Sequence, residues 1–330
     1  MGVSTTYRAA LRTVARLAGS RVGAAVANTV GLQPRSIWCL HRFVRPGDAW
    51  TGDSVETVGH IIRVLSARGV RFVALDDLLS GAPLGGPAVA VTVDDGYADF
   101  ATHAWPMFKA LRCPVSLFLT TGPVVERQWF WGDYLDHALS RLPRPHVDIE
   151  LVGMRVELTD PERRRRMGRQ LRGALKLVPD DERRAVLADL ARQAGVDATE
   201  APSAPYRALE PVQVEQLAAE GVQFGAHTVT HPILSRCSAA VARWEITESV
   251  RIVGAMTGRP VTTFAYPNGM LHDYGAREVA VLGAIGVPVA VTTSRGRVVD
   301  TADRLRLPRL VFRADLGVMS RRVMGYPLSL

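Results

Sequence analysis

The sequence predicts an α/β fold, a parallel sheet covered by helices, and two observations carry that prediction. Short apolar runs with β-branched residues recur at 36–40, 72–75, 88–93, 115–120, 222–225, 263–266 and 287–292. Helical patterns fill most of the gaps between them, at 55–68, 98–111, 238–256 and 276–285. Strands alternating with helices in this way argue for parallel pairing through helical crossovers. Roughly seven such strands fit a (β/α) barrel better than an open sheet, and chemistry in a barrel sits at the carboxyl ends of its strands.

One stretch breaks the rhythm. From about 129 to 206 the chain reads as helices rich in Arg, Leu and Ala, with one strand-like run at 147–158. The segment Ala201–Pro205 closes it. We read this stretch as a mainly helical insertion over one face of the barrel, within a domain spanning 36–330. No internal repeat is visible.

The chain has 330 residues, 47% hydrophobic and 22% charged, enough to bury a sizeable core. Its net charge is +8 and its pI about 9.9. The basic residues are dispersed and no nucleic-acid reader motif is present, so nucleic-acid binding is not expected. No acid precedes Asp48, while Arg8, Arg12, Arg16 and Arg21 recur at near-helical spacing, which predicts an amphipathic helix within residues 1–35. Such a helix can lie on an anionic membrane surface or pack its apolar stripe on the protein, and both readings stay open. No run of apolar residues is long enough to span a bilayer, and arginines interrupt every candidate signal-peptide core. A cytoplasmic or peripheral-membrane placement is therefore expected. Cys39, Cys113 and Cys237 form no CxxC pair and are expected to be buried free thiols.

The chemistry is concentrated in two strand ends. Val89–Gly96 reads VAVTVDDG, an apolar strand that ends in two carboxylates and a glycine. Adjacent buried acids repel, so each needs a partner or a proton, and a metal ion is one such partner. Capping of the following helix is the plainer alternative. Phe224–Pro232 reads FGAHTVTHP, with His227 and His231 four residues apart. On a helical turn that spacing puts both imidazoles on one side, within reach of one ion. Thr228 follows the first histidine, which excludes the HExxH arrangement. Two nitrogens and one carboxylate oxygen suit zinc, and also cobalt or nickel, with positions left for water and substrate.

These motifs resemble those of the polysaccharide deacetylase family (NodB homology domain, carbohydrate esterase family 4). VTVDDG is similar to its first motif, T-[FV]-D-D-G, HTVTH to its second, H-[ST]-x-x-H, and FAYPNG (Phe264–Gly269) to its third. IWCLHRF (Ile37–Phe43) and RFVALDDLL (Arg71–Leu79) resemble the branch that opens with a Y-H-R-like strand. The resemblance runs from about 36 to 312 and is weakest over the insertion. It implies a distorted (β/α)7 barrel and a metal-dependent carbohydrate N-deacetylase. Asp95, His227 and His231 would hold the metal, Asp94 would be the base, and the Asn268 backbone N–H would steady the oxyanion. The substrate would be an N-acetylated oligo- or polysaccharide or a lipid-linked sugar.

Two departures from the family pattern stand out. Ala265 occupies the place where the third motif often carries an arginine for the base. No histidine follows His272 to serve as the usual C-terminal general acid. His41, at the end of the first core strand, is the expected proton donor, with His272 in reserve. The same departures motivate a competing reading, a catalytically silent carbohydrate- or membrane-surface-binding protein on this fold. Trp129, Phe130 and Trp131 can stack on sugar or pack a lid onto the core. Arg163–Arg166 read as a solvated helix face.

Overall fold

The computed structural model describes residues 34–197, 200–299 and 303–324. The amphipathic helix expected within residues 1–35 falls outside these, save that Arg35 already belongs to the first strand. The main sheet contains β1 (Arg35–Leu40), β2 (Arg71–Phe72), β3 (Ala88–Val93), β4 (Val115–Leu119), β5 (Gln223–Ala226), β6 (Thr263–Ala265), β7 (Val289–Val291) and β8 (Leu310–Val311). They lie in the order β7-β6-β5-β4-β3-β1-β8, with β2 alongside the first half of β3, and every pairing is parallel.

The sheet curls until its ends meet. Val291 bridges Leu307, and the amides of Ala290 and Thr292 donate to the carbonyls of Arg304 and Leu307. The segment leading into β8 thereby closes the ring. The result is the distorted (β/α)7 barrel that the sequence implies. β2 and β8 contribute only two residues each, and there the ring is thin.

Composition explains most of these elements. Every residue of β3, AVAVTV, is buried, as a strand covered on both faces requires. The helix Val55–Ala67 is capped by Ser54, whose side chain accepts from the Thr57 amide, and it buries Val58, Ile61, Ile62 and Leu65 along one stripe. The run at 72–75 is strand only to Phe72, because Leu75 opens a short helix that buries Leu75, Leu78 and Leu79.

Between β4 and β5 the chain makes a long excursion. It holds the helices Trp131–Arg141, Pro161–Leu175 and Asp180–Ala194, and an antiparallel hairpin of His146–Ile149 with Met154–Glu157. Leu135, Leu139, Val156, Leu171, Leu187 and Leu190 form a hydrophobic cluster there, separate from the one beneath the barrel helices. Three of the four arginines of the ERRRR run, Arg163, Arg165 and Arg166, are exposed, as expected of a solvated face.

Gly225 shows how tightly the sheet packs. A Cβ at this position would lie 2.5 Å from the Phe118 ring and 2.5 Å from Thr263 Oγ1. Neither the buried ring nor the neighbouring strand has room to retreat. Gly225→Ala is expected to destabilise the fold by about 1–3 kcal/mol. A shift of the urea midpoint at unchanged slope would register it, and an unchanged midpoint would contradict this packing.

Candidate metal centre

Because the strands are parallel, their carboxyl ends gather on one side, and the motif residues gather with them. His41 follows β1, Asp94 and Asp95 follow β3, His227 follows β5, Asn268 follows β6 and Thr293 follows β7. A cavity of about 370 Å³ opens there, lined by all of these together with His231, Tyr97, Phe130, Trp131, Gly132, Asp133, Arg172 and Lys176. That volume lies in the lower part of the range for small-ligand sites, about 300–1,000 Å³.

Asp94 and Asp95 have opposite environments. Asp94 is 2% exposed and forms a two-pronged ion pair with Arg309, which is fully buried. Nη1 donates to Oδ1 at 2.7 Å and Nη2 to Oδ2 at 2.6 Å. The remaining guanidinium donors reach Thr92 Oγ1 at 3.0 Å and the Thr292 carbonyl at 2.8 Å. Burial alone would raise the Asp94 pKa, but Arg309, with help from the nearby histidines, holds it below the usual carboxylate value. The arginine that the third motif lacks at Ala265 is thus supplied by Arg309, just before β8. Sequence reading missed it because the guanidinium reaches Asp94 from a segment far along the chain. The cue was an arginine set among LRLPRLVF, where a barrel strand would bury it.

Asp95 has no such cation. Its backbone sits in the left-handed region, φ 75°, uncommon for a residue with a side chain. Oδ1 is buried without a hydrogen-bond partner and faces His231 Nε2 at 3.3 Å and His227 Nε2 at 3.6 Å. Burial raises the Asp95 carboxyl, yet His231, His41 and His227 more than offset this and hold it low. His227 Nδ1 lies 2.7 Å from the Ala265 carbonyl, which can only accept, so the proton sits on Nδ1 and Nε2 keeps its lone pair. Burial pushes the His227 pKa down to about 4, so the ring is neutral at ordinary pH. A carboxylate oxygen and two imidazole nitrogens, converging and lacking a common partner, fit a divalent metal.

Cys39, His41 and Asp94 make a second cluster of possible ligand atoms. It fits a metal poorly, because Arg309 already occupies both Asp94 oxygens, and burial pushes the Cys39 thiol far up. All three cysteines are buried free thiols, as expected.

The histidine pair does not ride on a helical turn, as its spacing suggested. It lies on a loop in which Thr228 (φ 64°) and His231 (φ 59°) are both left-handed. Glu245, buried on the helix Ala239–Thr257, holds that loop. Its carboxylate accepts from the amides of Val229 at 2.7 Å and Thr230 at 2.9 Å, and from Thr230 Oγ1 at 2.5 Å. Sequence reading did not single out Glu245, whose role needs the folded loop to be seen.

His41 shares the cavity, its Nε2 3.8 Å from Asp94 Oδ2 and its side chain 45% exposed. His272 does not line the cavity and is mostly exposed beside Asp273. Among the described residues, Asn268 (φ 59°) donates its backbone N–H to no acceptor, while its side chain is held at both ends. Of the aromatic cluster, Phe130 and Trp131 line the cavity, whereas Trp129 stacks on His137. Trp131 Nε1 donates to the His231 carbonyl at 3.1 Å. Asp133, also missed in the sequence, accepts from the Tyr97 hydroxyl at 2.6 Å, and burial pushes its carboxyl up to about 6.

Residues 179–287 match the family model described as polysaccharide deacetylase, a span that holds the histidine pair and the Asn268 turn. The chain is similar in structure to IcaB from Ammonifex degensii (17% identity, 89% of this chain and 98% of that one, TM-score 0.58). It is also similar to the Streptococcus pyogenes deacetylase PplD in complex with acetate (16% identity, 89% and 99%, TM-score 0.57). A third similar structure is a polysaccharide deacetylase from Bacillus cereus (13% identity, 87% and 69%, TM-score 0.53). At these identities the structures establish a shared fold. No curated protein sequence matches the chain.

Removing the guanidinium would strand a buried carboxylate. Arg309→Met is expected to cost about 3–5 kcal/mol at neutral pH. Urea unfolding checks it, and a loss below about 1 kcal/mol, the range of an exposed pair, would contradict the burial of this pair.

Proposed function

We propose that this chain is a metal-dependent hydrolase of the polysaccharide deacetylase family that removes acetyl from an N-acetylated sugar of a polymer. The observation that carries the reading is the division of labour between neighbouring aspartates. Asp95 presents a buried, unpartnered oxygen to two histidine Nε2 atoms, while Asp94 is ion-paired and ionised beside it. A divalent metal, zinc before cobalt or nickel, would be held by Asp95, His227 and His231. It would supply polarisation of the acetyl carbonyl and a more acidic water.

The chain's own groups account for the rest. Asp94, fixed by Arg309 in position and in charge, accepts a proton from the attacking water. Asn268 lines the cavity, and in this reading its N–H donates to the charge that develops on the acetyl oxygen, where a preorganised donor counts most. As the carbon–nitrogen bond breaks, His41 gives its proton to the departing amine, and acetate and the free amino sugar remain. His41 is suited to this by its place in the same cavity and by its access to solvent. Phe130 and Trp131 wall the cavity, their rings already packed against Tyr97 and Arg183.

The silent-binding reading was motivated by a missing arginine and a missing histidine. Arg309 meets the first need, and we assign the second to His41, which lines the same cavity. No helix among the described residues is long and apolar enough to cross a membrane.

Acetate release from a panel of N-acetylated sugars, with and without added zinc, tests the activity. His227→Ala and His231→Ala should lose bound metal and turnover together with the fold retained, and full metal content in both would overturn the ligand set. Asp94→Asn should keep the metal and lose turnover on the order of 100-fold or more. The roles are reversed if Asp94→Asn loses the metal and Asp95→Asn keeps it. His41→Ala should cut amide turnover sharply and spare an activated ester, whose leaving group needs no proton. Equal loss on both substrates would remove His41 as the donor.

A further inference from the structure

Lys176 follows the helix Pro161–Leu175 and belongs to the excursion, not to the barrel. It lies one turn beyond Arg172 on the same helix face, and both line the cavity. Its ammonium donates to Asn268 Oδ1 at 2.7 Å. Among the described residues it makes no ion pair, although it is half-buried. Its one hydrogen bond among the described residues goes to a neutral amide, and the carboxylates of Asp273 and Asp95 attract it without pairing. A partly desolvated ammonium placed so is costly for stability alone.

The other end of that amide is fixed as well. Asn268 Nδ2 donates to Asp273 at 2.5 Å, and Asp273, 2% exposed, also accepts from the Met270 amide at 2.8 Å. The Asn268 carbonyl accepts from Thr293 Oγ1 at 2.5 Å. Next in the chain, Gly269 (φ 68°) packs so closely that a Cβ would sit 2.9 Å from the Thr293 amide. The turn is therefore held from the barrel by Asp273 and Thr293, and from the excursion by Lys176.

We propose that Lys176 is a positioning residue for the Asn268 N–H, so that the excursion, and not the barrel alone, completes the hydrolytic site. This rests on the deacetylase reading above. Lys176 fixes which way the amide faces, by giving its oxygen a donor that nothing else among the described residues supplies. Its positive charge lies in the cavity wall beside that turn, where it also favours a developing negative charge. The excursion is coupled to the site at a second point through Trp131 and the His231 carbonyl. Lys176 differs in acting on the oxyanion side.

The test uses the full chain loaded with zinc and an N-acetylated sugar that the unaltered chain turns over. In Lys176→Met, kcat should fall roughly 10- to 100-fold, the scale expected when a group near the chemistry is misplaced. KM should stay within about two-fold, since a positioning contact acts on the transition state more than on ground-state binding. Zinc content and the urea midpoint should stay close to those of the unaltered chain, and amide hydrogens of the 266–270 turn should exchange faster. Lys176→Arg, which keeps a cationic donor, should recover most of kcat. Unchanged kcat and exchange in Lys176→Met would overturn the proposal, as would a raised KM at unchanged kcat, which marks a substrate contact. If the unaltered chain releases no acetate, the deacetylase reading fails on its own. Exchange at the turn then decides whether Lys176 holds Asn268.

Discussion

Two carboxylates adjacent in sequence and buried at one strand end repel each other, and Arg309 relieves that conflict for Asp94 alone. Its guanidinium meets both Asp94 oxygens and spends further donors on Thr92 and the Thr292 carbonyl, so little of either charge is left unsatisfied. The consequence for Asp95 is as important as that for Asp94. With the cation committed next door, the Asp95 oxygen has two imidazole nitrogens as its nearest ionisable neighbours among the described residues, a donor set that suits a metal. A barrel that closed without the segment carrying Arg309 would leave both acids demanding protons or ions.

The positions around that pair follow from parallel pairing and from strain held in place by neighbours. Asp95, Thr228, His231 and Asn268 all have left-handed backbones. Such conformations cluster at functional sites and persist only where surroundings over-determine them. The surroundings are visible here: Glu245 for the histidine loop, Asp273 and Thr293 for the Asn268 turn. The excursion adds Trp131 and Lys176, so the same segment that walls the cavity also grips the loops that carry His231 and Asn268.

Much of the architecture was legible in the sequence because parallel strands are buried on both faces and read as unbroken apolar runs, as β3 does. The motifs VTVDDG and HTVTH were legible for a related reason, since each follows such a run directly. β8 was not, being only two residues long, and Arg309, just before it, was lost with it. The absence of arginine at Ala265 was read correctly; that the same guanidinium arrives from another strand is a fact of closure, which no local pattern encodes. The loop geometry of His227 and His231 was misjudged because four-residue spacing favours a helix unless something outside the segment holds it open, and Glu245 does so from sixteen residues along the chain. Asp133 sits in a helix and Lys176 just past the end of one, and both look like ordinary charged surface until the excursion is folded against the barrel mouth.

On the proposed function, Arg309 reserves Asp94 as a base and leaves the metal to Asp95. Anomalous X-ray diffraction at the zinc edge, on crystals of the full chain soaked in zinc, tests this most directly. One peak bounded by Asp95, His227 and His231, with Arg309 still on both Asp94 oxygens, is the predicted result. A peak among Cys39, His41 and Asp94, with Arg309 displaced from the carboxylate, would contradict it.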